Sequence, residues 1–531
     1  MVQFLTFMYQ KYFIFTRNSV LPAPKKVIKE KEIIMRSKNA ILNISTSLIL
    51  QMLTAISGLV ISRLILLTYG SGVNGLVASI SQFLSYVSLL EAGVGGVIRA
   101  ALFKPLAEKN IEKVSEIVKA TKLFFQKIAY IFSFYVILLA IAYPYVVRGS
   151  FSWGYVFSLV IIISVSTLFE YFFCLPYINL LSADQKVWVI SLLNSVLVIM
   201  NIIVIYIAII LGMGIHGVKI CGIFVYAIKP IFYYAYVKKY YKLQKTKVVY
   251  HIEQKWNGLV HNLAQFIHNN TDVALITLFI NVSEVSVYAV YYAVASGIER
   301  VISSISVGCA AGIGDVIARN EKERLNEVVN TFEFVQSGVA TVLFTVTGVM
   351  IVPFVKLYSQ GVTDTNYLRP IFSYLLVLAE LFYCIRSIYS TIILNAGHYK
   401  QTQINAVMEA VTNILISLIL IQKMGITGVA IGTLAGMFVR TIMDVHYLSK
   451  NIVYRSPKYF LKSLIINTVV FVISSFVGHF IPITVVGWMS WLFLAFIVFI
   501  STSLFAILVY RIAYSDQMHA VINRIKLLIV R

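Results

Sequence analysis

The sequence predicts an all-α polytopic membrane protein. It is expected to have about fourteen transmembrane helices, set as two parallel six-helix bundles related by an internal repeat, with two more helices at the C-terminal end. Three observations predict this: composition, the spacing of apolar runs, and a constant internal offset. Of 531 residues, 59% are apolar and only 12% charged, against about 25% charged in ordinary soluble domains. Mean hydropathy is +0.84. A chain so short of polar residues cannot cover a water-facing surface, which excludes soluble enzymes and disordered proteins.

A membrane helix needs roughly 20 mainly apolar residues. Such runs fall at 41–67, 77–102, 123–147, 154–181, 187–211, 214–237, 257–280, 286–317, 331–355, 368–394, 402–421, 426–447, 460–481 and 485–510. The runs at 154–181 and 286–317 are long enough for tilt or a break. The net charge of +22 follows from the connections between runs. Alternate connections and both termini hold 33 Lys and Arg, whereas the opposite connections hold only Arg148, Lys356, Arg369 and Lys423. By the positive-inside rule, both termini and the basic connections are expected in the cytoplasm. The opposite connections are short, the longest running from Lys356 to Arg369, which leaves little room for catalytic groups there.

Shifting the chain by 211 residues aligns two halves without gaps. Leu64, Ile65 and Leu67 meet Leu275, Ile276 and Leu278. Glu112 and Glu116 meet Glu323 and Glu327. Gly214 and Gly217 meet Gly425 and Gly428, and Lys229 meets Arg440. Six spans return the chain to the same side, so the repeat is parallel, with a pseudo-two-fold axis along the membrane normal. The expected organisation is a basic N-terminal segment (1–40), a first bundle (41–237), a basic inter-lobe loop (238–256), a second bundle (257–448), and two helices with a cytoplasmic tail (449–531).

Ionisable residues inside the hydrocarbon are costly and usually face a partner or a cavity. Arg63, Arg300 and Arg386 lie deep in their spans, and Arg99, Lys229 and Arg440 lie near the basic ends, where long side chains can snorkel. Each deep arginine reads either as a cavity group or as half of an interhelical ion pair. Glu91 lies in the second span just before Gly93, Gly95 and Gly96. Its plainer role is a salt bridge between the first two spans. His268 and Asp272 are four residues apart, hence on one helix face, and with Asn269 and Asn270 form a polar patch. That patch reads as a packing seam or as a proton or cation site, with Glu299 a further candidate for ion coupling. Glu170 and Glu409 have no partner visible in the sequence. The four cysteines stand singly in apolar runs, with no metal-ligand spacing. No P-loop, triad or nucleophile elbow is present. A transporter is therefore expected, with no cofactor and no nucleic-acid partner, driven by a gradient of H+, Na+ or substrate.

The stretch YGSGVNGLVASISQFLSYVSLLEAGVGGVIRAALFKPL (Tyr69–Leu106) and the stretch HNLAQFIHNNTDVALITLF (His261–Phe279) carry a family likeness. They resemble the polysaccharide-repeat-unit (Wzx-type) flippases of the multidrug/oligosaccharidyl-lipid/polysaccharide exporter superfamily, in the branch from Gram-positive capsule and exopolysaccharide clusters. The likeness runs from about Met35 to the C-terminus. It implies a V-shaped pair of six-helix bundles that export an undecaprenyl-diphosphate-linked oligosaccharide for surface polysaccharide assembly. Other polysaccharide-assembly membrane proteins are then candidate partners. The related lipid II flippases carry cavity arginines in their first, second and eighth helices, the helices that hold Arg63, Arg99 and Arg300 here. On this reading Arg63, Arg99, Arg300, Arg386 and Glu91 bind the cargo, and His268, Asp272 and Glu299 serve ion coupling. Two readings stand beside it: an ion-coupled multidrug or metabolite exporter of the same superfamily, which should favour acids over arginines, and a peptidoglycan-precursor flippase. Residues 1–34 depart from the pattern. They read as a short anchor whose Lys25, Lys26, Lys29 and Lys31 meet anionic headgroups, or as sequence ahead of a true start at Met35.

Overall fold

The computed structural model describes residues 23–91, 94–147, 149, 151–244, 246, 259–319, 321–519 and 521–522. Most of the N-terminal basic segment and of the inter-lobe loop lies outside these residues. Sixteen α-helices carry the described chain. They are α1 (Ala23–Leu84), α2 (Val94–Ala107), α3 (Ile111–Val146), α4 (Trp153–Phe169), α5 (Leu175–Ala183), α6 (Val187–Ile210), α7 (Ile215–Tyr226) and α8 (Ile228–Tyr241). After them come α9 (Leu259–Phe279), α10 (Val282–Ala318), α11 (Lys322–Tyr358), α12 (Pro370–Asn395), α13 (Gln403–Met424), α14 (Ile426–Asn451), α15 (Lys458–His479) and α16 (Trp488–Ala513). Helices dominate because a backbone in hydrocarbon must satisfy its own hydrogen bonds.

Among the described residues, twelve helical stretches are long and apolar enough to cross a membrane, against the fourteen expected. The difference has two causes. The first two runs count as one stretch, Ile41–Glu91, although it consists of two helices that meet at Gly70, where the backbone leaves the helical region (φ 85°, ψ 173°). The seventh run lies on α9 (Leu259–Phe279), where the Asn270–Phe279 piece is apolar but too short to count as a span.

The chain divides into two compact units. One comprises residues 1–64, 84–256 and 528–531, and the other residues 65–83 and 257–527. In the first unit α3 packs on α4, α2 on α5, and α6 and α4 on α7. The α4–α5 connection is a π turn, Glu170–Cys174, followed by Pro176. A second break at Ala227 separates α7 from α8.

The second unit is built around α13 and α14, with α12 against α14 and α9 against α13. Gly428, Gly432 and Gly436 form a stripe on α14 that lets the α13 backbone come close. A Cβ on Gly432 would stand 2.1 Å from Ser417 Oγ and 2.8 Å from the Asn413 carbonyl oxygen. Small residues at such spacing are what membrane helices use to pack tightly, since lipid gives no hydrophobic drive between them. Residues 65–83 join this unit by polar contacts. Asp364 accepts from the Ser71 backbone N–H at 2.7 Å and the Ser71 hydroxyl at 2.6 Å, which caps the segment after the Gly70 kink. Asn74 donates to Ser286 at 2.7 Å, and Ser79 and Thr277 share a hydrogen bond of 2.6 Å. A Cβ on Gly75 would stand 1.6 Å from the Val282 carbonyl oxygen, so only glycine fits there. Helices α15 and α16 lie on α11. They are held by Arg455, which bonds Asn330 and Glu333, and by the Trp491 indole, which donates to the Met350 carbonyl at 3.1 Å.

Gly432→Ala should therefore lower the melting temperature of the purified protein, with overpacking costing about 1–3 kcal/mol. Gly297→Ala, where an added Cβ meets nothing within 4 Å, should leave it unchanged or raise it.

Candidate functional site

Besides the Arg455–Glu333 and Arg369–Glu284 pairs, two groups of charge stand inside the second unit. The first is a closed structural network. Arg440 is bonded to Glu409, and its Nε lies 3.6 Å from Asp444. Asp444 also accepts from Ser390 at 2.9 Å and Asn405 at 2.8 Å. Arg440, Glu409 and Asp444 are all buried. The snorkelling expected of Arg440 from its position near a helix end is thus replaced by burial and pairing. Glu409, which had no partner in the sequence, finds it 31 residues on, because α13 and α14 are packed antiparallel neighbours.

The second group is an acidic cluster with one arginine. Asp272 on α9 is 3% exposed. It accepts from Tyr288 at 3.0 Å and from Thr433 at 2.9 Å. Asn413 in turn lies 3.4 Å from the Thr433 hydroxyl. Glu299 on α10 accepts from Ser303 at 2.5 Å and lies within electrostatic reach of Arg300 and Arg386. Glu380 on α12 is 4% exposed and within reach of Glu299, Asp272 and Arg386. No hydrogen-bond partner for its carboxyl group is found among the described residues. Glu380 is not among the site residues expected from the sequence, since its neighbours come from α9 and α10. Arg386 is 3% exposed, donates to Ser390 at 3.2 Å and lies 4.8 Å over the Tyr383 ring. This cluster combines three carboxylates, a hydroxyl-lined pocket around Asp272 and one buried guanidinium. Buried carboxylates in such a grouping are suited to exchanging protons.

The remaining site residues are distributed as follows. Arg300 stands at the middle of α10 and is exposed, with no hydrogen bond and no ion pair among the described residues. In the first unit Arg99 is exposed and lies 3.4 Å from Asn179 Oδ1, while Arg63 is half-buried. Glu91 is half-buried, and its carboxyl group faces the Tyr171 hydroxyl of the π turn. Glu170, another acid without a sequence partner, lies 3.6 Å from Lys229. That pair joins the π turn to α8 and accounts for Lys229 as well. The His268 side chain lies outside the described residues. Among the described residues no group of acids, His and Cys has the makings of a metal site.

No protein-family profile matches this chain, and no curated protein matches it. Solved structures do. A lipid II flippase, MurJ, in an inward closed conformation superposes with a TM-score of 0.63 over 89% of this chain and 100% of that one, at 16% identity. An inward-facing multidrug resistance MATE family transporter of the MOP superfamily gives 0.56 over 78% and 99%, at 16% identity. The MATE multidrug transporter DinF-BH gives 0.56 over 78% and 97%, at 16% identity. At such identities the likeness is one of fold: this chain has the polytopic helical fold of these transporters.

If the Arg440 network is structural, Glu409→Gln should lower the melting temperature sharply. Removing one partner of a buried pair costs about 3–5 kcal/mol, and Asp444 offsets part of it. Glu409→Gln/Arg440→Gln should recover some of that loss, which would separate an unpaired charge from a simple packing defect.

Proposed function

We propose that the chain is a flippase. It moves an undecaprenyl-diphosphate-linked oligosaccharide across the bacterial cytoplasmic membrane by alternating access of its two helical lobes, for capsule or exopolysaccharide assembly. The observation that carries this reading is Arg300. It is an exposed guanidinium at mid-helix depth with Glu299 within electrostatic reach but no hydrogen bond or ion pair among the described residues, whereas Arg386 and Arg440 are buried and engaged. A planar fork of N–H donors suits a diphosphate. Arg63 and Arg99 are the basic residues of the first unit assigned to the same anion. Arg386, with Glu91, is better assigned to holding the helices than to cargo. The fold shared with a lipid II flippase supports the reading, and a peptidoglycan precursor is the nearest alternative cargo because it carries the same diphosphate.

A second reading, an ion-coupled drug or metabolite exporter, is favoured by the acidic cluster of Asp272, Glu299 and Glu380. In the flippase reading that cluster couples transport to H+ or Na+, with Asp272 at its centre.

Two measurements test these assignments. A charge-assisted hydrogen bond contributes roughly 1.5–3 kcal/mol. Folded Arg300→Ala should therefore bind a short polyprenyl diphosphate about tenfold to a hundredfold more weakly, and Arg300→Lys should fall between it and wild type. Wild-type affinity in Arg300→Ala would remove Arg300 from the cargo site. In liposomes, Asp272→Asn should abolish the dependence of transport on an ion gradient while the protein stays folded. Unchanged dependence would leave Asp272 as a packing residue joining α9 to α14.

A further inference from the structure

The first unit contains a cavity of about 740 Å³ that none of the preceding chemistry uses. Its floor is α3, its walls are the π turn with α5 and α8, and its roof is the segment after α8. That segment turns sharply at Lys242 (φ 46°). It is tied back to α3 by two hydrogen bonds. The Gln244 N–H donates to Ser115 Oγ at 3.0 Å, and Lys119 Nζ donates to the Thr246 carbonyl at 2.6 Å. The π turn with Pro176 after it, and the break at Ala227 ahead of Pro230, interrupt the helices that line the cavity.

The lining has two chemistries at two levels. Phe172, Tyr177 and Tyr234 lie in helical stretches apolar enough to span the membrane. Lys119 and Lys122 stand at the end that leads to the basic inter-lobe segment, and among the described residues no acid lines the cavity. Lys122 is exposed and has no ion-pair partner among the described residues. The mouth is apolar and open: Phe173 is 48% exposed and Ile231 70%. The volume falls in the range of about 300–1,000 Å³ usual for small-molecule sites.

We infer that this cavity binds an anionic glycerophospholipid, with its phosphate on Lys122 and Lys119 and an acyl chain along the aromatic wall. A free phosphate would leave the aromatic wall unused, and a neutral lipid would leave both lysines unmatched. Anionic headgroups are attracted by each lysine near the surface, and aromatic rings suit the boundary between headgroup and hydrocarbon.

The test uses the purified full chain in detergent and counts bound lipids by native mass spectrometry. The probes are phosphatidylglycerol and phosphatidylcholine of matched chains, with undecaprenyl diphosphate as a third. Phosphatidylglycerol should bind about tenfold more tightly than phosphatidylcholine. Lys119→Gln/Lys122→Gln should erase that preference and leave phosphatidylcholine unchanged, while Lys109→Gln/Lys113→Gln, the same charge loss outside the cavity, should preserve it. If the double variant does not fold, Lys122→Gln alone decides, since its side chain is exposed, and it should cut the preference severalfold. No preference in the wild type, or an equal loss in the Lys109/Lys113 pair, overturns the inference as bulk attraction. A loss that extends to undecaprenyl diphosphate also overturns it, because the cavity then belongs to the cargo.

Discussion

The second unit depends on the burial of Arg440 between Glu409 and Asp444. An ion pair in the interior of a membrane protein cannot be traded for water, so it fixes which faces of the helices meet. Asp444 extends the constraint to α12 through Ser390 and to the start of α13 through Asn405. The glycine stripe on α14 is the steric counterpart. Gly436, whose added Cβ would stand 2.9 Å from the Glu409 carbonyl oxygen, allows the two helices close enough for the pair to form. Electrostatics and packing thus specify the same register, and changing either would disturb the other.

With that frame fixed, the acidic cluster can exist. Asp272 is satisfied by hydroxyls from α10 and α14. Glu380 is buried with no hydrogen bond to its carboxyl group among the described residues, and lies within electrostatic reach of Glu299, Asp272 and Arg386. An isolated buried carboxylate is costly. A group held in such a position is suited to taking up a proton or cation and releasing it, which is the property a coupling site needs. The first unit is built differently. Among its described residues, the internal acids Glu170, with Lys229, and Glu91, with Tyr171, gather at the π turn.

Hydropathy made the helical membrane fold legible because runs of about 20 apolar residues have few other uses. The count was harder. Two helices that abut at Gly70 read as one stretch, and α9 offers only the short apolar piece Asn270–Phe279. Charge partners were legible only within a helix. Spacing put His268 and Asp272 on one face, but the partners found for Asp272 are Tyr288 and Thr433. The partner of Glu170 lies 59 residues away in sequence, and that of Glu409 31 away. Such pairings are set by which helices pack, and the apolar pattern of a membrane helix says little about that, because lipid and protein both accept apolar faces.

The same reasoning separates cargo chemistry from fold. A lipid II flippase and multidrug transporters are both found among the structures this fold superposes on, so the architecture alone cannot choose between them. The choice rests on which charges the fold leaves unspent. Arg386 and Arg440 are committed to the interior, and Asp272 and Glu380 are buried with them. Arg300 and Arg99 remain exposed on apolar helices. An exposed guanidinium within the membrane needs an anion or water beside it, since hydrocarbon would leave its donors unsatisfied. A cationic drug would add repulsion at such a place, whereas a diphosphate supplies acceptors for a guanidinium. The distribution of exposed basic residues and buried acidic ones is the physical ground for the anionic cargo proposed above.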